Sequence, residues 1–258
     1  MNLHIIFGGR GGAGEALALE LHKQGQRVRV VNRSGTARLP QEIEVVRGNL
    51  LEPASLTEVV RGATTLYHSA NVPYAQWPQV LAPMLEGFIA AGKASGARLV
   101  YVDNLYMYGL NTQNMNPSTP EQPCSRKGAL RARLGKRLLE AHRAGEVQAV
   151  IARGSDFFGP GVDNSLLSQK TFGNVLEGKS AMWAGRADVP HALTYTPDFA
   201  RALVKLGERD EAVGKIWTIP TDTVLTGRQF LELAFKAFSR TIEPRSPSLG
   251  RSCGGLAG

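Results

Sequence analysis

Short apolar runs alternate with amphipathic stretches through the first 154 residues of the chain. The apolar runs have the length of buried β-strands, whereas the amphipathic stretches repeat their apolar residues at the spacing of an α-helix. Strands are predicted at 3–7, 27–32, 43–48, 64–70, 98–104 and 147–154. Helices are predicted at 13–24, 77–95 and 125–144, with a short one beginning near Pro53. Because parallel strands need crossover connections that are usually helical, this alternation predicts a parallel sheet covered on both faces.

Beyond residue 161 the alternation is less regular. Amphipathic stretches predict helices at 165–178, 197–209 and 227–238. Short apolar runs predict strands at 181–185, 191–197 and 215–220. This change of rhythm indicates that the sheet-forming domain ends near this point and that a smaller unit follows it.

The predicted fold class is α/β: a Rossmann-type, doubly wound parallel sheet with a small C-terminal substrate lobe. Residues 1–160 form the sheet domain, which later strands at about 192–196 and 215–219 join. Residues 161–240 mostly form the lobe, and we expect it over the carboxyl ends of the strands, where open α/β folds bind ligands. Residues 241–258 are rich in Gly, Ser and Pro and predict a disordered tail.

Composition and charge exclude some classes of function. No apolar run approaches the roughly 18 residues of a membrane span, and the N-terminus lacks the features of a signal peptide. We therefore expect a cytoplasmic protein with no membrane partner. Two cysteines cannot build a cysteine-based zinc site, and we expect no metal. The net charge of +8 is scattered, and its densest run, at 125–137, lacks interleaved aromatics. That run is typical of a solvated helix face, so we expect no nucleic-acid partner.

The sequence FGGRGGAG, at residues 7–14, lies between the first predicted strand and the first predicted helix. Gly8, Gly11 and Gly14 are spaced three apart, and Gly9 and Gly12 bring the number of glycines in the stretch to five. Glycines allow a tight turn and let a pyrophosphate approach the N–H groups at the start of a helix. Packing alone could also require such a turn. The strand before it and the helix after it favour a site for a dinucleotide cofactor.

The end of the second predicted strand indicates which dinucleotide binds. A carboxylate there would hold the ribose 2′-hydroxyl of NAD, but this chain has Asn32, followed by Arg33 and Ser34. Arg10 lies in the glycine loop itself. Two guanidinium groups suit a 2′-phosphate, so the sequence predicts NADP rather than NAD. The alternative is that both arginines are merely exposed cations.

Six motifs follow one another along the chain: GGRGGAG, RGNLLEP, LYHSAN, VDNLYMYG, ARGSDFFGPG and TYTPDFARAL. In this order and spacing they resemble the short-chain dehydrogenase/reductase superfamily, in its extended, epimerase-like branch, from Leu3 to about Phe238. The resemblance implies that RGNLLEP lies by the adenine, with Asn49 in place of the usual acid, and that small residues of LYHSAN line the cofactor. The candidate cofactor-binding residues are Gly8, Arg10, Gly11, Gly12, Gly14, Asn32, Arg33, Ser34, Asn49, Leu50, Ser69, Ala70 and Lys127.

The resemblance also implies a catalytic site, and here the sequence departs from the family. A tyrosine four residues before a lysine usually exchanges the substrate proton, while the lysine lowers the tyrosine pKa and holds the nicotinamide ribose. This chain has Lys127, but Pro123 stands at the position of the tyrosine. Asn104 replaces the usual serine, and its amide can still hydrogen-bond a carbonyl group.

Three explanations for the missing tyrosine are open. Another side chain supplies the proton, water supplies it while Asn104 and Lys127 polarise the substrate, or the protein binds NADP without turnover. We select Tyr106 as the catalytic candidate beside Asn104 and Lys127. The full set of alternative proton donors is Tyr74, Tyr106, Tyr108, Tyr195, His68 and His191. Of these, Tyr108 and His68 are more typical of packing.

The sequence therefore predicts an NADP-dependent oxidoreductase or epimerase/dehydratase-like enzyme that acts on a small carbonyl or sugar-derived substrate. The alternative is a catalytically silent NADP-binding sensor or regulatory protein. The resemblance further implies a homodimer that pairs through the helices at 77–95 and 125–144.

Overall fold

A computed structural model of the chain describes residues 2–111, 113–163, 165, 167–221 and 224–238. The strands are β1 (Leu3–Phe7), β2 (Arg27–Asn32), β3 (Glu44–Arg47), β4 (Ala63–His68), β5 (Arg98–Asp103), β6 (Ala149–Arg153), β7 (Asp156–Phe158), β8 (Pro190–Tyr195), β9 (Ile216–Thr218) and β10 (Val224–Thr226). The α-helices are α1 (Gly12–Lys23), α2 (Trp77–Ser95), α3 (Arg126–Arg143), α4 (Asn174–Leu176), α5 (Thr196–Glu208) and α6 (Gly227–Ala237). Short 3-10 turns occur at Pro53–Leu56, Tyr74–Gln76, Tyr106–Tyr108 and Asp210–Ala212, and Ser168–Gly173 is π-helical. The predicted tail, 241–258, lies outside the described residues.

Seven of these strands form one sheet in the order β3-β2-β1-β4-β5-β6-β9. Every neighbouring pair in it is parallel, which confirms the predicted α/β, Rossmann-type fold. The strand order reverses between β1 and β4, and the crevice at such a point is where open α/β sheets bind ligands. Among the described residues, none of the helices is long and apolar enough to cross a membrane.

Successive side chains of a strand point to opposite faces of the sheet, and helices pack against both faces. Ile5 and Phe7 of β1 belong to a buried cluster with residues of α2 and α3. Ile6, between them, belongs to a second cluster with residues of α1 and α5. The central strands are apolar on both faces for this reason, which is why they read as unbroken hydrophobic runs.

The C-terminal part contains a second, three-stranded sheet in the order β10-β8-β7. β7 and β8 are parallel, whereas β10 is antiparallel to β8. A separate apolar cluster, with Trp183 and Phe230 among its members, packs against this sheet. A Cβ on Gly227, at the start of α6, would lie 2.3 Å from the Trp183 ring, so the helix packs directly on the indole.

Three local predictions differ from the structure here. The strand expected at about 192–196 in the main sheet is β8, which belongs to the three-stranded sheet, while β9 fills the edge position beside β6. Residues 181–185 form no strand, because Ala181 and Trp183 are buried in the apolar cluster of the lobe rather than paired with a neighbouring strand. β7 and β10 are three residues long and were not predicted.

Candidate active site

The glycine loop packs against the residues that follow β4. A Cβ on Gly8, whose φ is +98°, would lie 2.4 Å from the Ala70 backbone. A Cβ on Gly14 would lie 2.3 Å from the Gly8 oxygen and 2.4 Å from Ser69 Oγ. Ser69 Oγ in turn donates to the carbonyls of Phe7 and Gly8, at 3.1 and 3.2 Å. Only glycines fit this turn, and the cradle has the backbone geometry that a pyrophosphate requires.

The start of α1 is the phosphate-facing end of this cradle. No side chain caps the helix. The Gly12 N–H donates instead to the carbonyl of Gly161, at 2.7 Å, and a Cβ on Gly11 would lie 2.7 Å from the same oxygen. A phosphate oxygen that binds Gly12 would replace this hydrogen bond. The residues therefore fit a dinucleotide, and Gly161 lies against the start of the same helix, a contact that the sequence did not indicate.

The end of β2 is organised by Asn32. Its Oδ1 accepts hydrogen bonds from the Ser34 N–H, the Ser34 hydroxyl and the Gly35 N–H, at 3.0, 2.9 and 2.8 Å. Its Nδ2 donates to the Thr36 carbonyl at 3.0 Å. The Asn32 amide therefore shapes the turn that presents Arg33 to solvent.

Exposed arginines surround this turn. Arg10 and Arg33 are both exposed, as the NADP prediction requires. A third, Arg47, ends β3 directly opposite Asn32 in the strand register and is exposed too. Arg47 is a cation that sequence reasoning missed, although it stands just before the Gly-Asn of RGNLLEP.

The two residues predicted to lie by the adenine differ in their surroundings. Asn49 accepts from the Leu51 N–H at 3.1 Å and donates to Glu52 at 2.9 Å. The Leu50 side chain is 4% exposed and belongs to the core that α2 covers. A cofactor would therefore meet the Leu50 backbone rather than its side chain.

Lys127 and two tyrosines come together beside the carboxyl ends of β4 and β5. The Lys127 ammonium lies 4.4 Å from the centre of the Tyr74 ring. The Tyr74 hydroxyl is 2.9 Å from the Tyr106 hydroxyl. Asn104 accepts a hydrogen bond from the Tyr106 N–H through its Oδ1 at 3.1 Å, which leaves its Nδ2 as the group that can donate to a substrate.

Close packing of α3 makes this arrangement possible. Ser125 caps the helix by accepting from the Gly128 N–H at 3.0 Å. A Cβ on Gly128 would lie 2.4 Å from the Tyr106 carbonyl and 3.1 Å from Pro123. Gly128, one residue after Lys127, therefore allows α3 to approach the Tyr106 turn closely. This close approach places Lys127 beside the two tyrosines.

The remaining candidate proton donors have other surroundings. Tyr108 is buried and accepts from Arg153 at 2.8 Å, which is a structural contact. His68 is buried in the core, where burial, and secondarily Arg131, lowers its pKa to about 3. Tyr195 is exposed and packs on Phe158.

His191 lies in the three-stranded sheet, where its Nε2 is 2.8 Å from a carboxylate oxygen of Asp156. His191 therefore belongs to the three-stranded sheet, whereas the Lys127 cluster lies beside the carboxyl ends of β4 and β5 in the seven-stranded sheet. The charge of its partner Asp156 nevertheless acts on Tyr106. Burial, then the neighbouring Tyr74, and then Asp156 raise the pKa of Tyr106. Tyr106 therefore keeps its proton near neutral pH.

A network of buried charged side chains connects α3 to the sheet. Arg153 lies 3.2 Å from one Asp103 carboxylate oxygen, and Arg131 lies 3.5 Å from the other. Arg131 also donates to the Tyr101 hydroxyl at 3.1 Å and lies 4.3 Å from the centre of the Trp77 ring. This network ties α3 to β5 and β6, and it thereby sets the position of the helix that carries the lysine.

A cleft of about 540 Å³ opens on the lobe side of the glycine loop. Phe158, Val162, Phe172 and Leu176 line it, together with the backbone of Gly161. Gly161 is also the residue that contacts the glycine loop, so the cleft and the dinucleotide cradle share a wall.

Solved structures of similar fold come from several bacteria. UDP-glucose 4-epimerase of Thermotoga maritima, solved with UDP-glucose, is 15% identical with a TM-score of 0.81, over 95% of this chain and 85% of that one. UDP-glucose 4-epimerase of Thermus thermophilus, solved with NAD, is 18% identical with a TM-score of 0.79, over 97% and 88%. A dTDP-glucose 4,6-dehydratase double mutant of Streptomyces venezuelae, solved with NAD, is 18% identical with a TM-score of 0.79, over 95% and 84%. These likenesses show the fold.

Family comparison is more specific. Comparison with curated protein sequences gives no significant match. The model of the NAD dependent epimerase/dehydratase family matches residues 4–219, which are most of the chain and include the glycine loop, Asn104 and Lys127. The resemblance to the extended short-chain dehydrogenase/reductases is thereby confirmed, and the protein belongs to the NAD-dependent epimerase/dehydratase family.

Proposed function

We propose that this chain is an NADP-dependent oxidoreductase or epimerase/dehydratase-like enzyme that acts on a small carbonyl or sugar-derived substrate. The observation that carries the proposal is the group formed by Lys127 and the Tyr74–Tyr106 hydroxyl pair, at the crevice beside the glycine cradle. A nicotinamide nucleotide, when bound, supplies or accepts the hydride of the reaction. Family membership supports this class of chemistry, while the substrate and the preference for NADP are our proposals.

The chain's own residues have separable roles in this proposal. The glycine cradle and the start of α1 hold the pyrophosphate, and Lys127 holds the nicotinamide ribose. Asn104 orients the substrate oxygen through its Nδ2, and a hydroxyl of the Tyr74–Tyr106 pair supplies the proton. The lobe cleft, with its apolar wall and the Asp156–His191 pair nearby, is the proposed substrate side.

The test is NADPH oxidation by the purified full chain with a panel of small aldehydes, ketones and nucleotide sugars. We expect NADPH to be consumed with at least one class of carbonyl. Lys127→Met should lower kcat by about 100-fold or more, because it removes the cation beside the proton donor. Calorimetry should show NADPH binding to the wild-type chain. Binding without turnover of any carbonyl would contradict the enzymatic proposal.

A second candidate function is a catalytically silent NADP-binding sensor, and one observation favours it. Pro123 occupies the position of the family's tyrosine and has no exchangeable proton. This candidate predicts NADPH binding by calorimetry, no consumption of any carbonyl and a protein partner recovered only with the nucleotide present. A single turnover assigned to the chain would exclude it. The homodimer and the cytoplasmic location stay predictions.

The preference for NADP makes a prediction about the arginines of the β2–β3 edge. Arg33→Ala should weaken NADPH binding by about tenfold or more, because a charge-assisted hydrogen bond to the 2′-phosphate contributes about 1.5–3 kcal/mol. The affinity for NADH should change less than about twofold, since NADH lacks that phosphate. Isothermal titration calorimetry measures both affinities.

The matched control is Arg61→Ala. It removes the same charge from an exposed arginine just before β4, at the amino ends of the strands and so at the opposite edge of the sheet. We expect both affinities to stay within about twofold of wild type, because the remote charge acts only through screened, long-range electrostatics. An equal loss of NADPH and NADH affinity in Arg33→Ala would overturn the assignment of the 2′-phosphate site.

A further inference from the structure

The family's proton donor is missing at Pro123, but the structure supplies a phenol from a different part of the chain. We propose that Tyr74, in the loop after β4, donates the proton to the substrate carbonyl oxygen, with Tyr106 holding its hydroxyl and Lys127 facing its ring. The inference rests on the proposed function, since it assigns the acid of that same site. It differs from the sequence expectation, which selected Tyr106.

Tyr74 is held in place on a short, well-anchored turn. Its ring packs 4.8 Å from the ring of Trp77, the first residue of α2, which is 1% exposed. The Trp77 Nε1 donates to the Val72 carbonyl at 3.0 Å, which closes the turn on itself. Tyr74 itself is half-buried, so the residue is held by its neighbours but keeps part of its surface open to solvent.

The hydrogen bond between the two phenols permits the roles that we propose. The two hydroxyls are 2.9 Å apart and either can donate, and in the proposed arrangement Tyr106 donates to Tyr74 Oη. Tyr74 is then the acceptor in that bond, and its own O–H can point to a substrate. A hydroxyl that accepts one hydrogen bond and donates another is the arrangement that a general acid requires.

Two cations from α3 lie against the aromatic rings of the Tyr74 turn. Lys127 and Arg131 from α3 face the Tyr74–Trp77 pair, with the ammonium 4.4 Å from the Tyr74 ring centre and the guanidinium 4.3 Å from the Trp77 ring centre. From β7, Asp156 is the carboxylate whose charge reaches Tyr106. A cation at this distance from a ring attracts its π-electrons and stabilises a negative charge delocalised over them.

The step balances without a further reactant. The Tyr74 O–H bond breaks, and the proton forms a new O–H bond on the substrate oxygen. The π-electron pair of the carbonyl moves onto that oxygen as the carbon forms a C–H bond with a hydride, which a bound reduced nicotinamide nucleotide would supply. The phenolate accepts a hydrogen bond from Tyr106 and faces the Lys127 ammonium. It regains its proton from water. In the reverse direction the phenolate removes the proton of the substrate hydroxyl.

The experiment compares conservative variants in NADPH-dependent carbonyl reduction by the full chain. Tyr74→Phe should lower kcat by about 100-fold or more, with the NADPH dissociation constant unchanged by calorimetry. Tyr106→Phe should lower kcat by only about tenfold, the effect of one lost hydrogen bond. Tyr67→Phe, which removes a buried hydroxyl 3.3 Å from His4 Nδ1 on the side of the sheet covered by α1 and α5, is the matched control and should retain the wild-type rate.

Chemical rescue separates a proton donor from a packing residue. Phenol added to Tyr74→Ala should restore part of the lost rate, whereas anisole, which has the same ring but no acidic hydroxyl, should not. Rescue by both compounds, or full activity of Tyr74→Phe in a chain that reduces carbonyls, would overturn the assignment and leave the proposed function intact. A wild-type chain that binds NADPH and reduces nothing would refute the proposed function itself.

Discussion

Replacing Arg153 by methionine is expected to lower the free energy of unfolding by about 3–5 kcal/mol, the usual effect of removing one partner of a buried ion pair. The Arg153 side chain is 1% exposed and lies 3.2 Å from Asp103, whose side chain is fully buried. Arg153 also donates to the Tyr108 hydroxyl at 2.8 Å and to Glu121 at 2.6 Å. Three acceptors therefore lose a donor at once. Urea unfolding followed by circular dichroism measures the loss.

The matched control is Arg186→Met, which removes an arginine that pairs with Asp188 at 2.7 Å on the surface of the lobe. Both side chains are exposed, so solvent replaces the partner and we expect no measurable change in the urea midpoint. If Arg153→Met and Arg186→Met shifted the midpoint equally little, the buried network would not contribute as we describe.

The loss caused by Arg153→Met should also depend on pH. Burial raises the pKa of Asp103, while Arg131 and Arg153 oppose the rise. A carboxyl with a raised folded-state pKa stabilises the fold in its protonated form, so this contribution is present below the unfolded pKa and is lost as pH rises through the folded pKa. Without Arg153 the rise is larger. The difference in stability between the variant and wild type should therefore narrow as the pH is lowered toward the folded-state pKa of Asp103.

Acid should destabilise the wild-type fold through His68. Burial, and secondarily Arg131, lowers the pKa of this histidine from 6.5 to about 3, so the folded protein favours the neutral form of the ring. Stability from this group is fully present above pH 6.5 and is lost as the pH falls toward 3. Because one pH unit in this window corresponds to about 1.4 kcal/mol, the loss reaches about 5 kcal/mol by its end. Urea midpoints measured across the window give the slope.

His68→Leu isolates this contribution. Among the described residues His68 Nε2 is buried without a hydrogen-bond partner, and the other hydrogen bond of the ring is to the backbone of His68 itself, so stability at neutral pH should change little. The stability of the variant should fall less steeply in acid than that of wild type. His4, whose pKa burial also lowers, remains in both proteins and cancels in the comparison. His22→Leu, at the partly exposed end of α1, should keep the wild-type slope, and an equal slope in His68→Leu would refute the linkage.

Patterns that lie within one short segment predicted the structure well. The first strand and α2 have the predicted bounds, and α1 and α3 differ from theirs by one residue, because helix periodicity, glycine stops and apolar runs are local signals. Strands β7 and β10 escaped prediction because three residues carry too little pattern. Their pairing with β8 comes from partners that are distant in sequence.

The site was predictable in its parts but not in its assembly. The sequence indicated the cradle, Asn104 and Lys127 through motif spacing. It did not indicate that Gly161 contacts Gly12, and it included Tyr74 among six candidate proton donors without singling it out as the residue that meets Lys127. Tyr74 and Tyr106 are 32 residues apart in sequence, and their hydroxyls meet because β4 and β5 are parallel neighbours whose following loops leave the same edge of the sheet.

The sequence by itself determined the alternation of strands and helices up to β6, the glycine turn and the absence of a tyrosine four residues before Lys127. Each of these is a property of neighbouring residues, read from periodicity and spacing. Only the tertiary structure decided which side chains share a site, which charges are buried together and which histidines burial favours in the neutral form. Those properties depend on distance and on exclusion of water, and both arise only when segments far apart in the chain pack against each other.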